Sequence, residues 1–198
     1  MSWILDYQAE WDGATSFRCV AVEHLDVDLK KKSLLDILLS AGLSAERGLS
    51  FLRKHSYLKS TNDEMIQRNV DYVFSRRKRY IANRFNDHTF PALYTSYEIE
   101  TAVAERSKYV EDRDRPFHYG VFEVTLHGDA ADLRDAIRAG VWDFPDDHLA
   151  CQMVGKEVRD EGFDGLVAPS KVCAGTNSAV FEKDAAQGRS IAKIGEVM

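Results

Sequence analysis

Cysteine is scarce in this chain of 198 residues: Cys19, Cys151 and Cys173 are too few and too scattered for a disulfide framework. No two of them stand as C-x-x-C, so neither a zinc site nor a thioredoxin-like motif is indicated, and each reads as a small buried hydrophobe. Basic charge is also in deficit, with 26 Lys and Arg against 32 Asp and Glu and a formal net charge of -6, which argues against a protein that coats nucleic acid. No uninterrupted apolar run approaches the length of a bilayer, and the start, Met1-Ser-Trp-Ile-Leu-Asp, lacks a basic end followed by an apolar segment. A cytoplasmic location without membrane contact is the expectation. Repeats, low-complexity tracts and a convincing linker are absent too, which leaves a single domain over 1–198. With 44% apolar and 29% charged residues, the chain has the means for one well-packed core.

The order of patterns along the chain predicts an α+β fold with five strands. Residues 17–23, Phe-Arg-Cys-Val-Ala-Val-Glu, read as the first strand, with Arg18 inside it either in a surface pair or aimed into a cleft. From 29 to 78 the spacing is helical: Leu34, Leu35, Leu38 and Leu39 with Gly42 as a stop, a second helix capped by Ser44, and a third from Asn62 carrying Met65, Ile66, Val70, Val73 and Phe74. This block reads as a helical insertion, closed by the basic run Arg76–Arg79. Its cations suit a helix C-terminus, or else form a rim for an acidic partner. Thr95-Ser-Tyr-Glu98 has capping-box spacing and predicts a helix with Ile99, Ala102, Val103 and Val110 buried and Glu105 at the stripe's edge. Further along, a strand is expected over 117–126, a helix from Asp129 to near Gly140, and a helix from Asp146 to Gly162 with Leu149, Met153, Val154 and Val158 inward. Short strands follow near 163–170 and 178–181, and residues 184–198 read as a poorly packed polar tail.

The stretch from Arg84 to Glu105 carries the chemistry. Arg84 offers a planar fork of donors suited to phosphate or carboxylate, Tyr94 an aromatic face, and Glu105 a carboxylate on a helix. These three groups together suit a phosphorylated, positively charged nucleotide such as NAD. A surface arginine, a core tyrosine and a solvated glutamate would give the same letters. His118 and His127, flanking the strand at 117–126, are taken as structural.

The sequence resembles the RES-domain family, the toxin halves of bacterial toxin–antitoxin pairs. The resemblance rests on Phe17-Arg18, Arg84-Phe-Asn86, Ala92-Leu-Tyr94-Thr-Ser96, Thr101-Ala-Val-Ala-Glu105, Phe163-Asp-Gly-Leu-Val-Ala-Pro-Ser170 and Asn177-Ser-Ala-Val-Phe181, in that order. It covers residues 84–183 and the strand near 17–23. Asn83 stands where the family often has glycine, Phe85 where it often has tryptophan, and the 29–78 block is longer than usual.

This resemblance implies a mixed sheet similar to the ADP-ribosyltransferase toxin fold and an activity that consumes NAD as substrate, with no metal. Cleaving the nicotinamide–ribose bond passes through an oxocarbenium-like sugar, which a carboxylate stabilises more than it stabilises the ground state. Glu105 takes that role by resemblance. Arg84 pairs with the pyrophosphate, Tyr94 stacks on nicotinamide, Ser170 bonds the carboxamide or ribose, and Arg18 and Asn177 complete the binding set. Water as acceptor makes the protein an NAD glycohydrolase. A protein acceptor makes it a mono-ADP-ribosyltransferase, and loss of the chemistry leaves a non-catalytic interaction module. The implied partner is a helix-turn-helix antitoxin, with the tail and the 29–78 block near that contact or a homodimer interface. Direct nucleic-acid binding is not expected.

Overall fold

The structure is a computed structural model that describes residues 2–21, 35–42, 44–47, 61–75, 79–108 and 117–197. After a 3-10 turn at Trp3–Tyr7 come β1 (Gln8–Ala21), α1 (Asn62–Phe74), β2 (Leu93–Ser96), α2 (Ile99–Ser107) and β3 (Phe117–Asp132). Then follow α3 (Leu133–Arg138), α4 (His148–Asp160), β4 (Gly165–Pro169), β5 (Thr176–Val180) and β6 (Ala186–Val197). The architecture is mixed α+β. Its sheet runs β1-β2-β5-β4-β3-β6, and a further β1–β3 pairing closes the first five strands into a ring. Among the described strand pairs only β3 and β4 are parallel.

The middle of the sheet is buried on both faces, as alternation along β4 shows. Leu166 and Ala168 join Phe85, Phe90, Val154, Val158 and Phe181 on one side, whereas Val167 joins Ile66, Val70, Phe122 and Val124 on the other. Helix α4 covers the first face through Cys151, Val154 and Val158. Helix α1 covers the second through Ile66 and Val70, and its Thr61–Glu64 capping box fixes where it starts. In α4, Gly155 lies against the carbonyl of Phe85, where an added Cβ would collide with backbone. Gly155→Ala should therefore destabilise the protein by about 1–3 kcal/mol despite alanine's better helix propensity. A denaturation midpoint equal to wild type would show that the contact is not tight.

Several expectations are corrected. Strand β1 begins at Gln8, nine residues before Phe17, because it pairs with β3 from Gln8–Ala131 to Ala21–Tyr119 and needs no β-branched run of its own. Val22 and Glu23 lie outside the described residues. Thr95 does not cap α2: it is buried in β2 and shares a 2.6 Å hydrogen bond with Ser178, while Glu98 occupies the N-cap. Of the predicted α2 stripe, Ala102 is buried, Ile99 and Val103 are half-buried, and Val110 lies outside the described residues. Asp129 extends β3, and Asp132 caps α3 by accepting from the Arg134 N–H. Leu149 and Met153 face solvent, and the inward stripe is Cys151, Val154, Gly155 and Val158. The expected loose tail is largely strand β6, hydrogen-bonded to β3 and covered at Gly188 by Ile66 and Val70. Within the 29–78 block the Asn62 helix is α1, and residues 35–40 are helical. Nearly half of the block, including Arg76–Lys78, lies outside the described residues.

Candidate active site

A cleft of about 540 Å³ opens where β1 and β2 meet at a single register pair, Phe17–Ser96. β1 contributes Arg18 and Cys19, β2 contributes Tyr94, and β5 contributes Asn177. α2 contributes Glu105 and Arg106, and Arg84 comes from the loop before β2. Five of the six anticipated residues thus share one cavity. Ser170 joins them through Glu105.

Glu105 is the most constrained of them. Its Oε1 accepts from Ser170 Oγ at 2.7 Å and from Asn177 Nδ2 at 2.6 Å. Each donor is itself fixed. Asn177 faces Ser96 across the β2–β5 ladder, and its Oδ1 accepts from Ser96 Oγ at 2.7 Å, which turns the amide nitrogen towards Glu105. Ser170 Oγ accepts from the N–H groups of Val172 at 3.0 Å and Cys173 at 3.2 Å, so its single hydrogen goes to Glu105. The hydroxyl anticipated as a ligand contact is thus committed to the carboxylate. Both donors address Oε1, and the second oxygen keeps lone pairs for a ligand.

The loop carrying Arg84 is organised by two buried polar groups. Asn86, 1% exposed, donates through Nδ2 to the carbonyls of Ile81, Asp87 and Phe90 at 2.9–3.0 Å. Tyr94 OH accepts from the Phe85 N–H at 2.7 Å and donates to Asn86 Oδ1 at 3.1 Å. Its hydroxyl therefore positions the arginine loop while its ring lines the cleft. The departures at 83 and 85 are accommodated here: Asn83 O accepts from Gln152 in α4, and Phe85 stacks on Phe144 at 5.9 Å. Tyr94→Phe keeps the ring but strands a backbone donor. It should cost about 1–3 kcal/mol in denaturant titrations, and an unchanged midpoint would assign Tyr94 to the ring alone.

The electrostatics favour an anionic ligand. Among the described residues, Arg18, Arg84, Arg106, Lys108 and Lys171 line the cleft against a single carboxylate, Glu105. Arg18 donates to the Tyr94 carbonyl at 2.7 Å, and burial with the adjacent Arg106 charge lowers its pKa to about 10. Cys19 is raised to about 11 by burial, against the opposing charges of Arg106 and Arg18, so it remains a thiol at neutral pH and is no nucleophile. Arg106 and Lys171 escaped the sequence reading. Their only signal was adjacency to Glu105 and Ser170, and adjacency does not specify which way a side chain points.

The model of the RES domain matches residues 66–197, two-thirds of the chain. The chain therefore belongs to the RES-domain family. No curated protein sequence matches it. Among solved structures it is similar to a chain of the M.tuberculosis MbcT-MbcA toxin-antitoxin complex, at 16% identity and a TM-score of 0.45, over 67% of this chain and 91% of that one. Among the described residues no helix is long and apolar enough to cross a membrane.

Proposed function

We propose that the protein is an NAD-degrading toxin that cleaves the nicotinamide–ribose bond. One observation carries the reading: Glu105 is locked in orientation by Ser170 and Asn177 on the wall of a cleft whose other described charged side chains are cations. An oriented carboxylate beside a ribose stabilises positive charge developing at the anomeric carbon, and needs little reorganisation to do so. The bond's electron pair leaves with nicotinamide, which departs neutral. Water adds to the sugar, loses a proton, and yields ADP-ribose. Arg84 and Arg18 suit the pyrophosphate because guanidinium forks match phosphate oxygens, and the Tyr94 ring offers a face for nicotinamide. No bound metal is assigned a step.

Membership of the RES family supports two further parts of this reading. One is a fold related to the ADP-ribosyltransferase toxins. The other is a helix-turn-helix antitoxin that blocks the cleft in the cytoplasm. Incubation with NAD alone tests the activity: rapid nicotinamide release without an added acceptor is the expected outcome. Release that waits for a target protein would replace hydrolysis with ADP-ribosyl transfer, and no release under either condition would leave an interaction module.

A further inference from the structure

Two cations converge on one short segment at the rim of the cleft. Lys171 Nζ donates to the Phe144 carbonyl at 2.7 Å, lies 3.0 Å from Asp146 Oδ1, and stands 4.4 Å from the centre of the Phe144 ring. Arg84 Nη1 donates to the Pro145 carbonyl at 3.3 Å, and its Cζ lies 5.5 Å from the centre of the same ring. Phe144 is held in place by stacking on Phe85 and by Trp142 at 5.2 Å. The ring is thus a fixed platform bearing two like charges. The Asp146 side chain, 95% exposed, pairs with Lys171. Lys171, then Arg84 and Lys108, hold its carboxyl below the usual range, so it stays charged at neutral pH.

We propose that Lys171 and Arg84 form a phosphate subsite on the Phe144 platform, and that Asp146 is the internal counter-ion which an incoming phosphate displaces. This rests on the dinucleotide reading above, and it adds Lys171 and Asp146 to the residues that recognise the ligand. The physical reason is competition. An exposed carboxylate holds a lysine weakly, because both ions remain in contact with water. A phosphate group brings more charge and more acceptor oxygens, and Arg84 meets it as a fork where Lys171 meets it as a point charge. Asp146 keeps the two cations from repelling each other while the subsite is empty. It therefore weakens the ligand's apparent affinity by whatever its own attachment is worth.

Calorimetric titration with inorganic pyrophosphate, on the wild type and on Asp146→Asn, Lys171→Met and the double variant, tests this. Removing the competing carboxylate should tighten pyrophosphate binding by roughly two- to five-fold, the size of an exposed ion pair. Lys171→Met should weaken binding, and Asp146→Asn should gain nothing in its background. Weaker or unchanged binding in Asp146→Asn, or an equal gain in the double variant, would overturn the subsite. NAD turnover in the same four proteins separates the two readings. The pyrophosphate pattern without NAD consumption upholds the subsite and rejects the dinucleotide reading. NAD consumption with a KM indifferent to Asp146→Asn does the reverse.

Discussion

Glu105→Gln is expected to lower kcat for NAD consumption by roughly 10²–10³-fold, with little change in stability. Glutamine keeps an Oε1 acceptor, so the bonds from Ser170 and Asn177 can persist and the α2–β5 contact stays closed. What disappears is the negative charge. A carboxylate that acts in the transition state loses kcat and kcat/KM together, whereas one that merely helps to bind substrate raises KM. Nicotinamide release under saturating NAD, alongside a thermal melt, distinguishes these outcomes. Wild-type kcat in a folded variant would remove Glu105 from the chemistry and sink the NAD-cleavage reading.

Arg18→Met should move stability and affinity in opposite directions. The side chain is a buried cation whose charged form is disfavoured first by burial and then by the neighbouring cation Arg106. Burying such a charge is unfavourable unless an anion accompanies it. The sign follows from the direction of the shift. Arg18 has a pKa of about 10, below the ordinary guanidinium value, so the folded state disfavours its charged form. That penalty is present in full below pH 10 and is relieved only as the pH rises through about 10 towards the unfolded value. At neutral pH, methionine removes the penalty while keeping an apolar stem, and forgoes one hydrogen bond to the Tyr94 carbonyl. The melting temperature should hold or rise. The kcat/KM for NAD should fall roughly ten- to hundred-fold, the value of a hydrogen bond to a charged group. A variant that melts earlier with unaltered kinetics would make Arg18 a structural residue.

The site residues were legible to different depths. Glu105 showed itself as a carboxylate near the end of an amphipathic stretch, but its partners Ser170 and Asn177 lie 65 and 72 residues away. Only the family pattern linked them in sequence. Tyr94 was legible as an aromatic residue in a strand. Its hydroxyl's hold on the arginine loop was not, because that bond depends on where the loop folds back. The capping-box spacing at Thr95–Glu98 failed for a comparable reason. Pairing with β5 buries Thr95 against Ser178, and that ladder outcompetes the local cap. Leu149 and Met153 failed because the α4 face is set by the approach of Gly155 to Phe85, which no hydrophobic count contains.

Composition and periodicity indicated by themselves that the chain is a mixed α+β protein and that a helix starts near Asn62 with Met65, Ile66 and Val70 on one side. These are local properties, fixed by spacing along a few turns of helix or a few residues of strand. The tertiary structure alone decided that β6 joins the sheet, since a polar, glycine-bearing segment becomes a strand when β3 offers its hydrogen bonds and α1 covers Gly188. It also decided that Ser170 points its one hydroxyl hydrogen at Glu105 and that Lys171 shares the Phe144 ring with Arg84. Those arrangements depend on the direction of side chains brought together from distant parts of the chain, and closure of the strand ring sets that direction.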